Sequence, residues 1–163
     1  VGAHDTYHKR RDDFQIPEGD LRNLIQRRIQ QRVRPLIRRA FSFEASRMER
    51  YIVGCYDSES GGHFRAHRDN TTKGTAHRRF ALSLNLNDDF DGGDLGFPEY
   101  GPRTYKIPAG AGIVFSGALL HSVTAVRRGQ RYAFLPFLYD DAAALVREQN
   151  SPFLANGADG YKA

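Results

Sequence analysis

From residue 48 to residue 139 the chain is written in short apolar stretches, each closed by a cluster of turn-forming residues. The clearest stretch alternates Phe80, Leu82, Leu84 and Leu86 with Ala81, Ser83, Asn85 and Asn87. That two-residue period describes a strand with two different faces. Shorter stretches of the same kind lie near 48–56, 63–69, 94–98, 103–107, 112–116, 120–125 and 131–139, with turn clusters at 57–62, 88–93 and 108–112. Strands this short, recurring every ~8–12 residues, bury their apolar faces by stacking two antiparallel sheets or by closing a barrel. The chain is expected to be mainly β.

One segment breaks the pattern. Leu21, Leu24, Ile25, Ile29, Val33, Leu36, Ile37, Ala40 and Phe41 follow the three-and-four spacing of a helix over about 20–41. Arg22, Arg27, Arg28, Arg32, Arg34, Arg38 and Arg39 lie mostly off that stripe. Asp20 is placed as an N-cap, and Pro35 should kink or divide the helix near its end. This is a support helix whose apolar stripe lies on a sheet. Its arginines supply much of the net charge of +5. A solvated basic surface explains them more simply than nucleic-acid binding, so a nucleic-acid partner is not expected.

The 163 residues are one domain's worth. The expected division is a domain over 1–149, with the β core at 48–139 and a short helix at 141–149, followed by a C-terminal tail at 150–163. Residues 1–16 read as an arm or first edge strand. The chain opens on Val1 rather than Met, as a domain excerpt or processed piece would. No apolar run approaches the ~18 residues that cross a membrane, and the lone Cys55 excludes an internal disulfide framework. A cytoplasmic location is expected.

The chemistry concentrates at His67-Arg68-Asp69. In an extended strand residues i and i+2 share a face, so an imidazole and a carboxylate point the same way. A second imidazole, His121, can complete a set of two His and one carboxylate, the facial triad of non-heme Fe(II). Taken alone, His-x-Asp also caps turns, and His121 also reads as a satisfied core histidine. Arg131 opens an otherwise apolar stretch, and a guanidinium there is costly to bury without an anionic partner. His63, four residues before His67, suits a pocket rim or a structural role. His77, Arg78 and Arg79 follow a polar loop at 70–77, the expected lid, and with Arg68 are candidates to meet substrate.

The joint pattern resembles the 2-oxoglutarate/Fe(II)-dependent dioxygenases, and within them the prolyl 4-hydroxylase-like group. The matching text is Arg50-Tyr-Ile-Val-Gly-Cys-Tyr56, His67-Arg-Asp-Asn70, Leu84-Asn-Leu-Asn87, Asp91-Gly-Gly-Asp-Leu95, Ile107-Pro-Ala-Gly110, Val114-Phe-Ser116, Leu120-His-Ser-Val123 and Val126-Arg-Arg-Gly-Gln-Arg-Tyr132. The resemblance implies a double-stranded β-helix (jelly-roll) with supporting α-helices on one outer face. It implies His67, Asp69 and His121 as iron ligands, Arg131 and Tyr56 as partners of a 2-oxoglutarate carboxylate, and ascorbate as reductant. Relatives carry a second 2-oxoglutarate-contacting tyrosine where this chain has Asn85, whose amide could donate in its place. The implied activity is hydroxylation of a C–H bond on a protein or peptide side chain. Alternatives are a small-molecule or nucleobase oxygenase, or a jelly-roll module that holds metal without turnover. Relatives that demethylate nucleic acid carry a further Arg where this chain has Phe137, which argues against that activity.

Overall fold

The computed structural model describes residues 6–153. A short arm of two strands, β1 (Lys9–Arg10) and β2 (Asp12–Gln15), leads into helices α1 (Asp20–Arg32) and α2 (Arg34–Phe41). The β region follows as β3 (Arg47–Glu49), β4 (Ile52–Asp57), β5 (His63–His67), β6 (Phe80–Asn85), β7 (Asp91–Gly92), β8 (Leu95–Gly96), β9 (Thr104–Tyr105), β10 (Gly112–Ser116), β11 (His121–Val123), β12 (Val126–Arg128), β13 (Gln130–Phe134) and β14 (Phe137–Tyr139). Helix α3 (Asp141–Gln149) and a 3-10 turn (Ser151–Phe153) close the described chain. The expected tail at 150–163 lies outside the described residues beyond Phe153, as do residues 1–5 of the expected arm.

The strands form two large antiparallel sheets and a separate two-stranded ladder of β7 with β12. One runs β1-β5-β11-β8-β9; the other runs β2-β4-β13-β6-β14-β3, with β10 also on β6. Tyr56, Ala81, Phe115 and Phe137 of the second sheet pack with Phe64, Leu95 and Val123 of the first in one buried cluster. A second cluster joins Phe80, Leu82, Phe134 and Leu138 to Ile29 and Ile37 of the helices. The architecture is the expected jelly-roll with a helical layer on one outer face. The alternation in β6 separates those two clusters. Phe80, Leu82 and Leu84 face the helices, and Ala81, Ser83 and Asn85 face between the sheets.

Three local expectations change. The helical stretch is two helices meeting at Val33, with Pro35 in the first turn of α2, where its missing N–H costs nothing. Gly19, not Asp20, is the N-cap of α1; Asp20 is the first helical residue. The stretch 48–56 is cut at Arg50, which has φ 60°, and 131–139 is cut at Leu135-Pro136. Across each break the neighbours continue: β3 and β4 run beside β14 and β13, and β13 and β14 both run beside β6.

Candidate functional site

β5 and β11 are neighbours, with His121 in register with His67. Asp69 sits just past the end of β5, and its backbone N–H donates to the Gly117 carbonyl at 2.9 Å. The three side chains therefore meet at one end of the inter-sheet space. His67 Nε2 lies 3.6 Å from Asp69 Oδ1, and His121 Nε2 lies 3.5 Å from Asp69 Oδ2. One ligand atom from each residue falls within 4.8 Å of the others, a spacing that can hold a metal ion.

The second nitrogen of each imidazole is fixed by its own strand. His67 Nδ1 lies 2.7 Å from the Arg65 carbonyl and His121 Nδ1 lies 3.0 Å from the Leu119 carbonyl. A carbonyl only accepts, so each Nδ1 carries the proton and each Nε2 keeps its lone pair toward Asp69. Burial pushes the His121 pKa below its ordinary value against the opposing charge of Asp69, which favours the neutral, metal-binding form. Phe64 stacks on His67 with ring centroids 3.6 Å apart, and Phe115 packs against His121 at 4.6 Å.

Arg131 stands on β13 with no exposed surface. Its Nε donates to Asn85 Oδ1 at 2.9 Å and its Nη2 to Ser83 Oγ at 2.8 Å. Its Nη1 is buried with no well-formed hydrogen bond. Its guanidinium lies 5.0 Å from the centre of the Tyr56 ring. Among the described residues no carboxylate comes within ion-pair distance of it. Burial lowers its pKa, and the Tyr56 phenol opposes that shift. Gly93, at φ 66°, makes room for the arginine stem: a Cβ there would lie 2.9 Å from Arg131 Cδ.

Tyr56 and Ser83 line the same pocket as His67, Asp69 and His121. The rest of the wall includes Leu95, Val123, Leu135 and Phe137, so the triad opens into a largely apolar space. Asn85 stands behind Arg131. Its oxygen accepts from the arginine, one N–H of its Nδ2 donates to the Ile107 carbonyl at 2.6 Å, and the side chain does not line the pocket. The expected donation from Asn85 gives way to orientation of Arg131.

The candidate substrate residues do not line this pocket. Arg68 turns outward and grips Glu99 through both terminal nitrogens, at 2.7 and 3.1 Å, and also donates to the Ala118 carbonyl. Glu99 in turn accepts from the Leu120 backbone N–H, one residue before His121. His77 and Arg78 are buried, at 2.8 and 2.9 Å from Glu49 Oε1, and Arg79 is exposed. The 70–77 connection is correspondingly not a solvated lid. It contains a short 3-10 turn, Lys73–Thr75, with a reciprocal cap between Thr72 and Thr75. His63 is structural: its ring nitrogens meet the Gly61 and Tyr7 carbonyls at 2.8 and 3.1 Å.

Three polar pocket residues carried no site expectation: Arg11, Arg50 and Ser83. The period of β6 places Ser83 on the same face as Asn85, so that signal was present. Arg11 arrives from the N-terminal arm, and nothing in its local sequence announces it.

A sequence profile of the 2OG-Fe(II) oxygenase superfamily matches residues 51–139. A PKHD-type hydroxylase of Synechococcus sp. (strain JA-2-3B'a(2-13)) is 31% identical over 134 residues, covering 76% of this chain and 58% of that protein. A PKHD-type hydroxylase of Bordetella pertussis is 42% identical over 101 residues, covering 56% of this chain and 43% of its own length. The chain thus spans a little over half the length of the first of these relatives. Among solved structures, a Pseudomonas putida prolyl-4-hydroxylase superposes with a TM-score of 0.66 at 19% identity, over 84% of this chain and 74% of that one. A Trichoplax adhaerens prolyl hydroxylase in complex with a hypoxia inducible factor peptide fragment gives 0.66 at 18%, over 87% and 67%. At these identities the structural likeness speaks to the fold, which is shared.

Proposed function

This chain belongs to the 2OG-Fe(II) oxygenase superfamily, and from that premise we propose that it is a 2-oxoglutarate- and Fe(II)-dependent dioxygenase that hydroxylates a C–H bond on a protein or peptide side chain, as prolyl hydroxylases do. The observation that carries the proposal is one pocket with two unlike ends. At one end two imidazoles and a carboxylate converge with their Nε2 lone pairs directed inward. At the other Tyr56 and Ser83 form the wall, and behind them the fully buried Arg131 guanidinium has only neutral hydrogen-bond partners. A dicarboxylate that chelates a metal through one end and meets Arg131 through the other fits both.

In this reading His67, Asp69 and His121 hold Fe(II) through two nitrogens and one carboxylate oxygen, a donor set suited to that ion with positions left open. Iron held there would supply the redox chemistry that hydroxylation with O2 and 2-oxoglutarate requires. The chain's own part is positional. The Arg65 and Leu119 carbonyls keep each imidazole in the ligating tautomer. Ser83 and Asn85 aim Arg131, a charge-assisted donor for the distal carboxylate. Phe64, Phe115, Leu95, Val123 and Phe137 keep water from the reacting space. The peptide substrate is supported by the Trichoplax neighbour, whose structure contains a peptide fragment.

The test is succinate release. With Fe(II), ascorbate, O2 and 2-oxoglutarate, the protein is expected to form succinate, faster with a proline-containing peptide that it hydroxylates. The Asp69→Asn variant should form none. Equal succinate from wild type and Asp69→Asn would contradict the reading.

A further inference from the structure

Arg11 lies outside the matched segment 51–139, yet its side chain enters the pocket. It sits where the arm passes from one sheet to the other: β1 pairs with β5, and β2 pairs with β4. Only 6% of its side chain is exposed. Asp13 takes the guanidinium as a fork, with Nε at 2.5 Å and Nη2 at 2.9 Å. That fixes the direction of the remaining nitrogen, and Nη1 donates to the Tyr56 hydroxyl at 3.1 Å. Gly54 makes the approach possible, because a Cβ there would stand 2.6 Å from Arg11 Cδ.

The consequence lies in the proton of Tyr56. A phenol has one proton to give and a lone-pair side with which to accept. Arg11 occupies the accepting side. Arg131, on the same ring at 5.0 Å, offers no acceptor either. A hydroxyl between two guanidiniums can spend its proton on neither, so the proton is directed to an acceptor that enters the pocket. We propose that Arg11, held by Asp13, is a positioning residue that makes the Tyr56 hydroxyl a hydrogen-bond donor to the cosubstrate carboxylate. The proposal rests on the reading of the pocket as a 2-oxoglutarate site, and it gives the N-terminal arm a part in cosubstrate selection.

The experiment is calorimetric titration of 2-oxoglutarate into the Mn(II)-loaded protein, with Mn(II) affinity and thermal unfolding measured alongside. Arg11→Gln is expected to weaken 2-oxoglutarate about tenfold, the order of one hydrogen bond to an anion, with Mn(II) affinity unchanged. In a Tyr56→Phe background the same substitution should add less than about twofold, because the hydroxyl it positions is gone. A merely structural role would instead give the same loss in both backgrounds. Arg11→Lys, which keeps the charge without the fork, should behave like Arg11→Gln and serves if the latter does not fold. Absence of binding by wild type would sink the pocket reading itself. Binding by wild type that Arg131→Ala weakens, but that Arg11→Gln leaves unchanged or weakens additively with Tyr56→Phe, would overturn the role of Arg11 alone.

Discussion

At the scale of single residues, the site is a set of buried polar groups whose partners are specified one atom at a time. His67 and His121 each spend Nδ1 on a carbonyl two residues earlier. Arg131 spends two of its three nitrogens on Ser83 and Asn85. Because both partners are neutral, the charge of Arg131 awaits an anion, and that is where the energy of cosubstrate binding should come from. Arg131→Ala is expected to weaken 2-oxoglutarate about 100-fold while Mn(II) affinity stays the same, as measured by calorimetry. Loss of metal affinity in step with the cosubstrate would place the arginine in folding instead. His67 and Asp69 were legible as a pair from their spacing, Arg131 from the cost of a guanidinium in an apolar stretch, and His121 through the resemblance. The partners were not, because backbone carbonyls leave no trace in composition.

At the scale of elements, β6 shows how much of the layout a period can carry and where it stops. Its apolar set faces the helices, and from its other face Ala81 and Ser83 line the pocket while Asn85 holds Arg131. The alternation revealed two faces without saying which one was inside. The connection from Asp69 to β6 misled for the same reason: its polar composition suggested a lid. In the fold His77 and Arg78 converge with Arg147 of α3 on Glu49 of β3. Burial alone would raise the Glu49 carboxyl, but the His77 and Arg78 contacts outweigh it and bring it down to about 2 from 4.5. A carboxylate depressed in the folded state stabilises above its unfolded pKa and loses that contribution as pH falls through the folded one. Glu49→Gln is expected to cost on the order of 3 kcal/mol at neutral pH, since the buried Arg78 guanidinium loses its counter-charge. The gap from wild type should narrow as pH falls from about 4.5 toward 2. Chemical denaturation across that range reads it; a gap independent of pH would show that Glu49 acts by packing alone.

At the scale of the molecule, the two sheets divide the work. β5 and β11 of one sheet carry the imidazoles and the strand end at Asp69, while β4, β6 and β13 of the other carry Tyr56, Ser83, Asn85 and Arg131. The arm of β1 and β2 ties the sheets together at the pocket and brings Arg11 with it. The jelly-roll was legible from strand spacing and from the resemblance. The role of the arm was not, because two-residue and four-residue strands have no period to read. Among the described residues no helix is long and apolar enough to cross a membrane. The claim that unites these levels is that metal and 2-oxoglutarate share one pocket. Its most direct test is the metal dependence of 2-oxoglutarate binding to wild-type protein without O2. Binding is expected with Mn(II) or Fe(II) and should weaken at least about 100-fold when the metal is chelated or Asp69 is replaced by Asn. Equal affinity with and without metal would place 2-oxoglutarate elsewhere and contradict the site.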